Sequence, residues 1–99
     1  MLSYEYFKLK EETINGKRYS LCMNTDLYGR NSGILQFTIV KSVNGIKTTL
    51  VIKEFLNCKT AKTIRAKKQK MNKEFYQLID YLKEAEVIKN DIENELQKM

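Results

Sequence analysis

Ninety-nine residues suffice for one domain with a modest core and leave little room for a deep catalytic cleft. The net charge of +6 is spread unevenly: residues 1–58 carry net +3, residues 59–73 net +7 and residues 74–99 net −4. With no histidine and two cysteines, the chain lacks the usual neutral-pH general base and an evident soft-ligand set, which argues against an enzyme, a metal centre or another cofactor.

The opening stretch, MLSYEYFKLKEE, has no uninterrupted apolar run. It reads as neither a secretory signal nor a membrane anchor, and a cytoplasmic location is expected. In that setting Cys22 and Cys58 are expected to be reduced thiols, a disulfide being the alternative. A chain rich in Lys, Asn, Ile and Tyr and free of Pro suits an AT-rich genome or a mobile element.

The sequence predicts a single α+β domain over residues 1–99: an antiparallel sheet of about four strands (region 3–56), then one long or two consecutive helices (region 60–98). Tyr4 to Glu12 roughly alternates, Asn15-Gly16 offers a tight turn, and Lys17 to Asn24 forms a second run. A looser connection, TDLYGRNSG, leads into ILQFTIVKSV, and Asn44-Gly45 joins that run to IKTTLVIKEFL. Two hairpins in series are therefore expected.

Period-2 phase places Phe7, Leu9, Tyr19, Leu21, Met23, Leu35, Phe37, Ile39, Leu50 and Ile52 on one face, if the register permits. The opposite face is then expected to carry Tyr4, Tyr6, Lys8, Lys10, Arg18, Lys47 and Lys53. Aromatic and basic groups interleaved in this way can stack bases and neutralise phosphates, although tyrosine is also an ordinary strand former. Tyr4, Tyr6, Lys8 and Lys10 are accordingly the weaker candidates for a ligand surface.

Beyond residue 60 the period changes. Ile64, Met71, Leu78, Ala85, Ile92 and Met99 recur every seven residues, with Phe75, Leu82 and Leu96 at a second heptad position that Lys68 and Lys89 interrupt. The pattern fits an amphipathic helix on the sheet or a coiled-coil seam. Asn90 followed by Glu93 resembles a capping box, so a break within 84–91 and a short final helix are the alternative to one continuous helix.

The run from Lys59 to Lys73 holds seven basic residues and no acidic one. Lys59, Lys62, Arg65, Lys67, Lys68, Lys70 and Lys73 are the leading candidates for contact with a DNA or RNA phosphate backbone; a solvated helix face is the plain alternative. Thr60 is the expected helix cap, with free amides near Lys59 and Lys62. Arg65, Gln69 and Asn72 have the chemistry to read base edges, but no helix-turn-helix, zinc finger or other nucleic-acid motif is present, so largely nonspecific binding is expected.

Residues 74–99 carry seven acidic groups against three basic. Asp80, Glu84, Asp91 and Glu95 share one face of a continuous helix and are candidates for protein contact, including the Lys-rich half of a second copy in an antiparallel homodimer. Positive charge in the N-terminal half and negative in the C-terminal half reverses what the helix dipole favours. The sequence therefore predicts a small nucleic-acid-binding or regulatory protein. The alternative is a protein-binding adaptor or inhibitor, such as a phage or mobile-element product acting on a host nucleic-acid enzyme.

Overall fold

A computed structural model describes residues 5–25 and 33–98 of the chain. Strands β1 (Glu5–Ile14), β2 (Lys17–Thr25), β3 (Leu35–Val43) and β4 (Ile46–Phe55) form one antiparallel sheet in the order β1-β2-β3-β4, and helix α1 (Ala61–Gln97) follows. The α+β arrangement expected from the sequence is the one observed. Tyr4, the side chain of Tyr6, Met99 and the connection 26–32 lie outside the described residues.

Both Asn-Gly turns take the backbone that their residues favour. Asn15 and Gly16 have φ of 49° and 78°, and Asn44 and Gly45 have 52° and 81°. Two successive positive φ values match the right-handed twist of the flanking strands, and an asparagine followed by a glycine enters that region at little steric cost.

The strands depart from simple alternation at two bulges. In β1, Lys8 pairs with Cys22 and Lys10 with Leu21, which leaves Leu9 as an extra residue; in β4, Leu50 is extra between Thr49 and Val51. One inserted residue flips the facing of everything beyond it. Lys10 and Lys53 therefore lie on the helix side, where Lys10 Nζ stands 5.8 Å from the Tyr76 ring and Lys53 Nζ lies 2.9 Å from Glu74 Oε1. Ile52, expected inside, turns to the other face and is 61% exposed. β1 also runs two residues past the expected Glu12 and buries Ile14.

Helix α1 crosses the sheet diagonally. Its buried residues are Met71, Phe75 and Ile79, a ridge of i, i+4, i+8 neighbours, with Ile64, Leu78 and Leu82 packed partly against the same core. They meet Tyr19, Leu21 and Met23 of β2 and Leu35, Phe37 and Ile39 of β3 in one cluster. Ile79 stands outside the heptad series because an i+4 row drifts around the helix while a heptad row stays nearly in line.

The helix is continuous, so the second-helix alternative at Asn90 is not adopted. A segment of 37 residues spans about 55 Å, which sets the long axis of a molecule measuring 62 × 27 × 15 Å. Among the described residues its last polar tie to the sheet is Glu86, which accepts a hydrogen bond from Asn15 Nδ2 at 3.3 Å and lies 3.8 Å from Lys17 Nζ. Residues 87–97 extend past the β1–β2 turn and are exposed throughout.

Tyr19 sits beneath this anchor. Burial pushes its phenol above the usual value, and the Glu86 carboxylate adds to the shift. Its contribution to stability is fully present below the unfolded-state value near pH 10 and is lost as pH rises through the folded-state value. The melting temperature of Tyr19→Phe relative to wild type should thus be level from pH 7 to about pH 9 and move in favour of the variant above about pH 10. A difference that stays level to pH 11 would contradict this assignment.

Candidate functional site

The basic segment begins where the chain leaves β4. Asn57 takes a positive φ of 60°, and the Cys58 N–H donates to the Gly33 carbonyl at 2.7 Å, which fixes the segment before α1 against the lead-in to β3. Gly33 has a φ of 68°, and a Cβ there would lie 2.8 Å from Lys59 Cγ. The bare glycine thus lets the stem of Lys59 lie across the backbone. Thr60 caps the helix as expected, its Oγ1 accepting from the Thr63 N–H at 3.1 Å.

From this cap the cations distribute around the helix according to its period of about 100° per residue. Lys62, Arg65 and Lys73 are exposed on the side away from the buried ridge, with Gln69 between them. Lys67 and Lys70 take the β4 flank, where their ammonium groups stand 4.8 Å and 5.5 Å from the Phe55 ring. Lys68 is half-buried on the opposite flank. Among the described residues, none of the seven cations from Lys59 to Lys73 forms an ion pair.

Elsewhere the positive charges are partly taken up. Lys8 and Arg18 share Glu11 at 3.2 Å and 3.1 Å on the sheet face away from the helix, and Lys53 is held by Glu74. That outer face carries a groove lined by Lys8, Glu11, Arg18, Ser20, Val40, Ser42 and Lys47, while the tyrosines expected beside the lysines, Tyr4 and the side chain of Tyr6, lie outside the described residues. Lys10 has moved to the helix side. Beside the groove, a polar ladder runs across three strands: Asn24 Nδ2 donates to Gln36 Oε1 at 2.9 Å, and Gln36 Nε2 to Glu54 Oε1 at 3.2 Å.

Two expectations about base reading separate in the structure. Gln69 is exposed beside the outward cations, whereas Asn72 turns inward and its Oδ1 is buried without a hydrogen-bond partner. The Asn72 amide oxygen is therefore withdrawn from the basic face, at a residue that is half-buried overall. Asp80, Glu84, Asp91 and Glu95 are all exposed, and none of them is ion-paired among the described residues.

Ile88 and Tyr81 carry a feature that the heptad reading passed over. Ile88, Ile92 and Leu96 are exposed at 56%, 56% and 63%, and with Asp91 and Glu95 they line an open apolar groove along the projecting end of α1. Tyr81, 66% exposed, extends this stripe back towards the sheet. The i, i+4, i+8 spacing of 88, 92 and 96 is visible in the sequence, but the loss of any sheet beneath it is a consequence of helix length and crossing direction.

Cys22 and Cys58 are both buried and neither is in a disulfide, and the Cys58 thiol lies 3.6 Å from the Leu56 carbonyl oxygen. Among the described residues, no group of three or more His, Cys, Asp or Glu side chains comes together to hold a metal ion, and no helix is long and apolar enough to cross a membrane. The class of protein is thus a four-stranded antiparallel meander covered by one helix whose two ends differ in charge. Comparisons with protein-family models, with curated proteins and with solved structures give no match.

Proposed function

We propose that this is a small nucleic-acid-binding protein that contacts the phosphate backbone through the N-terminal half of α1. The observation that carries the reading is a run of seven cations that form no ion pair among the described residues, along about 21 Å of chain, in a molecule whose lysines elsewhere include several with acidic partners. Lys62, Arg65 and Lys73 would make the outward contacts, with Lys59 and Lys70 at the margins. Gln69 is the one exposed amide among them, so recognition rests on charge rather than on base edges.

The reading is tested by fluorescence-anisotropy titration with short single- and double-stranded DNA and RNA at low salt and then at about 0.15 M. Binding that weakens steeply with salt is expected for at least one of the four. No binding to any would overturn the proposal and favour the adaptor or inhibitor reading, for which the exposed acidic face formed by Asp80, Glu84, Asp91 and Glu95 is the supporting observation.

A further inference from the structure

We infer that the projecting end of α1 docks on a second copy of this chain, in an antiparallel helix pair whose two-fold axis passes near Tyr81. Three features converge on that partner. The first is the apolar stripe itself: Tyr81, Ile88, Ile92 and Leu96 are each more than half exposed, the last three on the helix end beyond Glu86, which no strand supports among the described residues. Burying such a stripe against another helix is the usual source of stability for a helical segment that leaves its own domain.

The second is charge. Asp91 and Glu95 border the stripe, so a complementary surface must offer apolar area edged with cations. The chain's own β4 flank has that character. Lys67 and Lys70 hold their ammonium groups over the half-buried Phe55 ring, and the next residue, Leu56, is exposed. An antiparallel pair centred on Tyr81 brings Asp91 beside the partner's Lys70 and Glu95 beside the partner's Lys67. Two-fold symmetry makes each contact twice.

The third is the helix dipole. Within one chain the charge order is unfavourable: the first turn of α1 has no acidic residue and the last turn no basic one. Antiparallel pairing sets each acidic end beside the positive, cation-rich end of its partner, so the placement that is costly in one helix becomes favourable across two. The outward cations Lys62, Arg65 and Lys73 stay free in this arrangement.

Sedimentation velocity over a wide concentration range tests the inference. The wild-type chain is expected to shift from monomer to dimer, and Ile88→Glu or Ile92→Glu, both at positions clear of the sheet, should raise the dissociation constant at least about thirtyfold. Lys67→Glu with Lys70→Glu should weaken association, and adding Asp91→Lys with Glu95→Lys should restore it. Orientation is read by mild oxidation of Lys67→Cys mixed with Glu95→Cys, because the native cysteines are buried. A mixed disulfide supports the antiparallel pair. Self-crosslinked Glu95→Cys alone would indicate parallel helices and overturn it, as would a chain that stays monomeric throughout or a charge reversal that fails to rescue.

Discussion

Neutralising Lys62, Arg65, Lys68, Lys70 and Lys73 together, each to Gln, is expected to flatten the salt dependence of nucleic-acid binding while leaving the fold intact. If about five phosphates are neutralised, the slope of log K against log salt for duplex DNA should be near −4.5, which costs about 10³ in affinity between 50 and 200 mM salt. The variant should show a slope near −1 or bind too weakly to measure. Gln preserves helix propensity, and all five positions lie outside the buried ridge of Met71, Phe75 and Ile79. Removing the Lys62 cation from the first turn should stabilise the helix by about a few tenths of a kcal/mol, and the other four positions lie beyond that turn. Binding that falls while the melting temperature holds or rises separates a ligand surface from a structural one. Unchanged affinity and slope would leave the basic run without a role in binding.

The parts of this molecule that were legible in its sequence are those set by neighbours along the chain. Asn15-Gly16 and Asn44-Gly45 announce their turns because positive φ is a local property, and Thr60 announces the cap because its hydroxyl reaches only three residues on. The facing of β1 and β4 was not legible beyond the bulges. Whether Leu9 or Leu50 is accommodated as an extra residue depends on the partner strand, and one shift in each strand redirected Lys10 in β1 and Ile52 and Lys53 in β4. The candidate site divides along the same line. Seven cations in fifteen residues can be counted from the sequence, but which cations remain uncompensated depends on distant acids, as the pairing of Lys53 with Glu74 and of Arg18 with Glu11 makes plain. The unsupported end of α1 is a similar case, since its exposure follows from where a helix anchored at Glu86 runs out of sheet.

Phe75→Ala is expected to cost about 3–5 kcal/mol of stability, the largest effect of any single truncation along α1. Phe75 is fully buried at the centre of the ridge, between Met71 and Ile79, and the cluster it joins includes Phe37, which is likewise fully buried. The site has little means of collapsing. Ile79 and Met71 hold the helix one turn to either side, and the sheet beneath is fixed by its hydrogen-bonded register, so most of the vacated volume stays as a cavity. A chain of this size has a total stability of about 5–15 kcal/mol, so the loss is a large share of the whole. In urea the midpoint should drop by about a fifth or more with the slope m unchanged, whereas Leu56→Ala, at a residue 66% exposed, should stay within about 0.5 kcal/mol of wild type. A Phe75→Ala cost below about 1 kcal/mol would be too small for a filled core position. It would mean that α1 does not seat Phe75 against β2 and β3, and the diagonal crossing that frees the helix end would have to be redrawn with it.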